Sequence, residues 1–155
     1  MPLNRALVGR AYPRSAGYEV SREKVRDFAT AIGDANPISL DRDAAVAAGH
    51  TDVVAPPTFL TVLGFRFPHP SPVTDPELGL DYSRVVHGEQ AFVLHRPVVA
   101  GDVLHAQLTI DDIRVAGRNE LVMVRTDVTD DAGAPVATST STIVSRGTAA
   151  PGGLR

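Results

Sequence analysis

The sequence predicts an α+β domain in which an antiparallel sheet wraps round a central buried helix. Apolar residues at helical spacing occupy the first third of the chain, and one segment near its middle is apolar almost all round. In the second half the apolar period changes to two, as it does in half-buried strands. With 155 residues the chain has the length of one domain, which we expect over residues 1–146, with a flexible tail at 147–155.

The first third predicts one weak strand and two helices. The strand falls within residues 11–20, which Pro13 and Gly17 interrupt. A helix follows Ser21, a suitable N-cap, and ends at Gly33. Its apolar residues recur at i, i+3, i+4 and i+7: Val25, Phe28, Ala29 and Ile32. A shorter helix is expected between Asp41, as N-cap, and Gly49.

The central helix is predicted within residues 53–67. Pro57 suits its first turn, because proline lacks the amide hydrogen that this position leaves unbonded. Apolar residues then cover nearly every side: Phe59, Leu60, Val62, Leu63 and Phe65. The proline-rich stretch that follows, to residue 80, is expected to run over the surface.

Four long strands are predicted after this stretch, at residues 84–96, 103–115, 120–128 and 135–145. Their apolar residues alternate, as in Leu104, Ala106 and Leu108. The turns at residues 117–119 and 130–133 are rich in Gly, Asn and Asp, so the last three strands should form an antiparallel meander.

Composition excludes several classes of function. The formal net charge is −3 and the basic residues are scattered, so we expect no nucleic acid partner. The absence of cysteine excludes disulfides, thiolate zinc ligands and a cysteine nucleophile. Neither a signal peptide nor a membrane span is evident, so we expect a cytoplasmic protein without a membrane partner.

The polar corner, defined here as residues 33–39, is the candidate site. Gly33, Asp34, Asn36 and Pro37 all favour turns, so the segment is readily explained as a rigid connection between helices. Asp34 could instead handle a proton beside a thioester carbonyl polarised by amides near Pro57 and Thr58. Residue types alone leave both interpretations open.

The run from Gly33 to Ile38 resembles the Gly-Asp-x-Asn-Pro-x-His signature of the MaoC-like, hot-dog-fold (3R)-hydroxyacyl thioester dehydratases. Further stretches resemble the N-terminal-type MaoC dehydratases, including the non-catalytic subunit of heterodimeric fatty-acyl dehydratases of actinobacteria. These stretches are residues 54–59, the run His87-Gly88-Glu89-Gln90, and His95-Arg96-Pro97 with Gly101-Asp102. The resemblance covers most of residues 5–145 and implies the hot-dog fold.

The resemblance also implies roles for individual residues. In catalytic relatives the Asp and a His five residues later move the proton and the hydroxyl, and the Asn orients them. Asp34 and Asn36 occupy two of these positions, but Ser39 stands at the histidine position. A serine hydroxyl does not titrate near neutral pH, so the chain alone should be a poor dehydratase. The residues expected to bind the substrate are Pro57, Thr58, Phe59, Phe65 and Tyr82.

Four functions are compatible with these residues. The chain could be the acyl-binding subunit of a dehydratase whose partner performs catalysis, or a self-sufficient enzyme in which His87 replaces the missing histidine. A hot-dog thioesterase and a non-enzymatic acyl-binding protein are the other two. The expected partners are an acyl-ACP or acyl-CoA thioester and either a catalytic MaoC-like chain or a second copy. The remaining histidines lack metal-ligand spacing, so we expect no metal and no cofactor.

The loop at residues 68–82 has two interpretations. It could be a plain crossover connection between the central helix and the first long strand. Its length and the nearby aromatic residues Phe65, Phe67 and Tyr82 also fit the wall of an acyl channel, because long loops in compact domains often carry function.

Overall fold

The computed structural model describes residues 2–66 and 70–150, apart from the side chains of Phe65 and Arg66. The α-helices are α1 (Arg22–Ala31), α2 (Pro37–Leu40), α3 (Arg42–Ala47) and α4 (Thr61–Arg66). The strands are β1 (Tyr18–Glu19), β2 (Val85–Leu94), β3 (Val103–Ala116), β4 (Asn119–Asp130) and β5 (Pro135–Ser145). Two 3₁₀ helices span Arg5–Leu7 and Tyr82–Arg84. Over these residues, no helix combines the length and apolar character needed to cross a membrane.

All five strands belong to one antiparallel sheet in the order β1-β3-β4-β5-β2. The predicted meander of β3, β4 and β5 is confirmed, and β5 has the predicted bounds. Gly117 and Gly133 in its two turns have positive φ, which glycine adopts without strain. At one edge of the sheet, β2 pairs only with β5 among the described strands.

Helix α1 confirms the predicted capping residues. The Ser21 side chain accepts a hydrogen bond from the Lys24 amide, and Gly33 has φ +74° just beyond the helix. Val25 and Ala29 are fully buried, but Ile32 is 51% exposed, contrary to its predicted place on the apolar face. Ile32 is the C-cap, so it lies past the last turn that packs on the core.

The central helix is shorter than predicted. It begins at Thr61, because the residues before it make turns with i→i−3 hydrogen bonds such as Phe59 N to Pro56 O (2.9 Å). Phe59 is nevertheless fully buried, edge-on to Phe28 with ring centroids 5.4 Å apart. Phe59 therefore anchors the main core, which α1 and the α4 segment form against the sheet.

The amino-terminal residues and the loop after α4 cover a second core on the same sheet. Leu78 is fully buried there with Ile110 and Val122. The Tyr12 hydroxyl donates to Asp75 Oδ2 at 2.8 Å, and burial raises the pKa of Tyr12 well above its usual value. The strand predicted in residues 11–20 is wrong in extent, because only Tyr18–Glu19 pair continuously with β3.

The chain stays attached to the sheet beyond β5. The Gly147 amide donates to Asn119 Oδ1 at 3.1 Å, and the Ala149 amide donates to Arg118 O at 3.3 Å. Thr148 is 8% exposed. Structure therefore extends past the boundary at residue 146 that the sequence suggested, while residues 151–155 of the expected tail lie outside the described part.

A buried carboxylate ties the starts of two helices to the chain that enters the core. Asp52 accepts hydrogen bonds from Arg22 Nε and Nη2 at 2.7–2.9 Å and from the Val53 amide at 2.8 Å. Arg42 Nε lies 3.5 Å from Asp52 Oδ2. The hydrogen bonds from Arg22 lower the pKa of Asp52 to about 2.

Asp52→Asn should lower the free energy of unfolding at pH 7, because it removes the charge that pairs with Arg22. Arg22 is half-exposed and water screens the pair, so the loss should be only about 1–2 kcal/mol. The pKa of Asp52 is lower in the folded chain than its ordinary value of 3.8. Its stabilisation should therefore be complete above pH 4 and disappear as the pH falls towards 2. Urea denaturation of both proteins from pH 7 to pH 3 measures this difference, with exposed Asp27→Asn as control. A gap that stays constant down to pH 3 would contradict the assignment.

Candidate functional site

In the polar corner, the side chains of Asp34 and Asn36 hold the backbone turn. Asp34 Oδ1 accepts a hydrogen bond from the Asn36 amide at 2.9 Å, and its own amide donates to Ala29 O at 2.8 Å. Asn36 caps α2 by accepting from the Ile38 amide at 3.3 Å. Asp34 is half-buried and Asn36 is exposed. The turn interpretation therefore accounts for one oxygen of each side chain.

Ser39 is the buried member of the corner. It is 3% exposed, and its hydroxyl donates to Val54 O at 2.6 Å. The Val54 amide in turn donates to Ile38 O at 2.9 Å. These bonds join α2 to the segment that leads into the core. Ser39 thus occupies the expected histidine position as a structural hydrogen-bond donor.

The expected substrate-binding residues whose side chains the structure describes have different surroundings. Phe59 is a core residue, Pro57 and Thr58 are exposed, and Tyr82 is 76% exposed on a 3₁₀ helix. The Phe65 side chain lies outside the described residues.

The expectation of free amides at the start of the central helix is only partly met. The Phe59 amide donates to Pro56 O and the Thr61 amide to Thr58 O, so the turns already use both. Thr58 retains an amide with no hydrogen bond to any described residue.

His87 belongs to a polar network on the edge strand β2. His87 Nε2 lies 3.0 Å from Gln90 Oε1, and Gln90 Nε2 donates to Ser139 Oγ on β5. A bulge between His87 and Glu89 brings the side chains of His87 and Gln90 to the same face of β2. Gly88 permits it, because a Cβ there would lie 3.2 Å from Thr142 O. Sequence reasoning singled out His87 but missed Gln90 and Ser139.

The run from His95 to Asp102 closes the connection between β2 and β3. Arg96 makes two hydrogen bonds to Asp102, Nη1 to Oδ2 at 2.8 Å and Nη2 to Oδ1 at 3.1 Å. Asp102 also accepts from the Val99 amide, and Gly101 has φ +97°. The Arg-Pro and Gly-Asp pairs are therefore explained by a structural ion pair and a tight turn.

A cleft of about 440 Å³ crosses the middle of β2, β5, β4 and β3, away from the corner. Glu89, Met123, Thr140 and Thr142 are among the residues that line it. Gln90, the partner of His87, also lines the cleft, but none of the predicted catalytic or substrate-binding side chains that the structure describes does so. The cleft therefore adjoins the His87 network.

The remaining histidines have separate surroundings. His105 bridges Ser15 O and Asp131 Oδ1, at 3.0 Å from each, and His95 Nε2 lies 3.3 Å from Thr138 Oγ1. His69 lies outside the described residues. Within residues 2–66 and 70–150, no three His, Cys, Asp or Glu side chains come together as a metal site would require.

The sheet order, the buried Phe59 segment and the Gly-Asp-x-Asn-Pro corner define a MaoC-like hot-dog dehydratase domain, and comparison with known proteins confirms this fold. The family model described as FAS1-like, dehydratase domain region, matches residues 6–139, and the chain belongs to this family. A UPF0336 protein of Saccharopolyspora erythraea is 51% identical over 149 residues, which are 96% of this chain and 95% of the relative.

Two solved structures share the fold and are at least 30% identical in sequence to this chain. The HadBC 3R-hydroxyacyl-ACP dehydratase complex of Mycobacterium tuberculosis matches with TM-score 0.77 and 30% identity, over 89% of this chain and 96% of that one. A MaoC-like dehydratase matches with TM-score 0.81 and 35% identity, over 91% of this chain and 42% of the other.

Ser39→Ala should lower the free energy of unfolding by about 1–2 kcal/mol, because it leaves the buried Val54 carbonyl without its donor. Thermal and urea denaturation measure the change. Ser39→Cys has a similar volume but a weaker hydrogen-bond donor, so its free energy of unfolding should lie between those of the unmodified chain and Ser39→Ala. Unchanged stability in Ser39→Ala would show that the hydrogen bond is not structural.

Proposed function

We propose that this chain is a subunit of a (3R)-hydroxyacyl-thioester dehydratase of fatty-acid metabolism in the cytoplasm. It binds the acyl chain and stabilises a catalytic MaoC-like partner. The observation that carries the proposal is the buried Ser39 hydroxyl bonded to Val54 O at the position where catalytic relatives have histidine. The 30% identity with a chain of the HadBC complex supports a hetero-oligomer.

The reaction requires two proton movements. A base removes the C2 proton while an acid protonates the departing C3 hydroxyl, so that water leaves and the C2–C3 double bond forms. Asp34 is the carboxylate at this corner, and one of its oxygens accepts the Asn36 amide. Ser39 cannot supply the acid, because its hydroxyl does not titrate near neutral pH and its hydrogen is held by Val54 O. The proposal therefore assigns both proton transfers to the partner.

The β2 edge is the surface proposed for pairing with the partner. Its backbone has no neighbour on one side among the described strands, and a ten-residue open edge tends to add another strand. Val86, Val93 and Leu94 on this strand are 40–59% exposed, which is unusual for large apolar side chains at a free edge. A second hot-dog chain would pair with the edge and cover them. The same geometry would serve a homodimer.

The purified chain should hydrate an enoyl thioester at least about 100-fold more slowly than its complex with a MaoC-like chain that carries an intact Gly-Asp-x-Asn-Pro-x-His, because general acid–base catalysis contributes about that much. The assay follows loss of crotonyl-CoA absorbance, with the partner alone as control. Full activity without the partner would contradict the proposal. Thioester hydrolysis would instead indicate a thioesterase, and binding without turnover in either preparation would indicate a non-enzymatic acyl-binding protein.

The His87 network favours a second candidate, a self-sufficient hydratase. His87 is exposed, and Gln90, which Ser139 holds in place, orients its Nε2. The other ring nitrogen, Nδ1, has no hydrogen-bond partner among the described residues. An imidazole oriented through one nitrogen with the other free is the arrangement that a general base requires.

His87→Ala separates the two candidates. If His87 is the general base, any hydration by the chain alone should fall by about 100-fold or more in His87→Ala. His95→Ala is the matched control, because His95 is also exposed and also contacts a hydroxyl of β5. Equal activity of His87→Ala and the unmodified chain would exclude His87 as the base.

A further inference from the structure

Three arginines stand at one end of the sheet, where β2 and β4 begin and β5 ends. We call Arg84, Arg118 and Arg146 the arginine corner. The Arg146 amide and its Nε both donate to Arg84 O, at 3.1 and 3.3 Å, and the Ala149 amide donates to Arg118 O. These bonds fix the backbone from which all three side chains extend, so the corner has a defined shape.

Two of the three side chains in the arginine corner carry positive charge that no described carboxylate pairs with. Arg118 and Arg146 are exposed and make no ion pair with any described residue. Arg84 Nε lies 3.4 Å from Asp81 Oδ2, and both side chains are 54% exposed. The adjoining carboxylate of Glu120 is 1% exposed and accepts the Leu3 amide, so it is turned inward.

Elsewhere in the described part of the chain, six arginines pair with a carboxylate, whereas Arg5, Arg14 and Arg26 stand apart from one another and have no such pair. The paired ones are Arg10, Arg22, Arg42, Arg96, Arg114 and Arg125. The corner is thus a local excess of positive charge on a chain whose formal net charge is −3. Such a patch attracts an acidic surface and speeds its encounter.

We propose that the arginine corner is the docking surface for an acidic carrier protein that delivers the acyl thioester. This rests on the proposed function and deepens it, because it selects a protein carrier over coenzyme A. The three arginines spread over neighbouring strands, so they cover roughly 10 Å. That width matches several carboxylates on a protein surface. Guanidinium groups pair well with carboxylates, whereas one phosphate would need groups that converge.

The test measures binding of crotonyl-acyl carrier protein and of crotonyl-CoA to the purified chain and to its complex with the catalytic partner. The double variant Arg118→Glu/Arg146→Glu should raise the Kd for the carrier protein at least about tenfold at low salt, with the difference shrinking as salt is added. The Kd for crotonyl-CoA should stay unchanged. Arg14→Glu is the matched control, because Arg14 is exposed at the opposite end of β4, where it bonds to Asp130 O.

An equal Kd for the carrier protein before and after charge reversal would overturn the inference. So would equal weakening of crotonyl-CoA, which would make the corner a phosphate site, or no carrier binding by the unmodified chain. Circular dichroism of each variant checks that it folds. Turnover of crotonyl-CoA by the unmodified complex tests the proposed function separately, so the two failures are distinguishable.

Discussion

The hydrogen bond from Ser39 to Val54 O decides both the shape and the chemistry of the polar corner. It lies in a buried place, where an unbonded carbonyl would cost about 1–3 kcal/mol, so the donor cannot be lost without consequence. Together with the bond from Val54 N to Ile38 O, it attaches α2 to the chain that enters the core at Phe59. The corner is thereby rigid, but the residue that gives it rigidity has no titratable group.

The edge of the sheet has the opposite character. There β2 leaves backbone groups unpaired and large apolar side chains 40–59% exposed among the described residues. His87 lies on the same strand, and Arg84 of the arginine corner directly precedes it. Exposed groups of this kind are suited to recognition of other molecules. At the corner, Asp34 and Asn36 hold the backbone turn, and Ser39 stands where the motif of catalytic relatives has histidine. This contrast is what a binding subunit in an oligomeric dehydratase would require.

The sequence predicted most of the sheet, whereas the contacts around the candidate site could not be predicted from it. In β3, β4 and β5 the apolar residues alternate within each strand, and glycines mark the turns between them. These strands could therefore be predicted from the sequence alone. The start of α4 could not, because its apolar residues would suit either a helix or 3₁₀ turns. Gln90 was missed because the bulge at Gly88 places it beside His87, against simple alternation. The pairs Arg22–Asp52 and Ser39–Val54 depend on contacts between segments that periodicity does not connect.

If the partner performs catalysis as proposed, this chain contributes no proton-transfer group. Steady-state kinetics of the complex with Asp34→Asn in this chain, compared with the corresponding Asp→Asn change in the partner's intact motif, test it most directly. We expect kcat to stay unchanged within about twofold with the first substitution and to fall at least about 100-fold with the second. A loss of kcat with Asp34→Asn as large as that caused by the partner's substitution would contradict it.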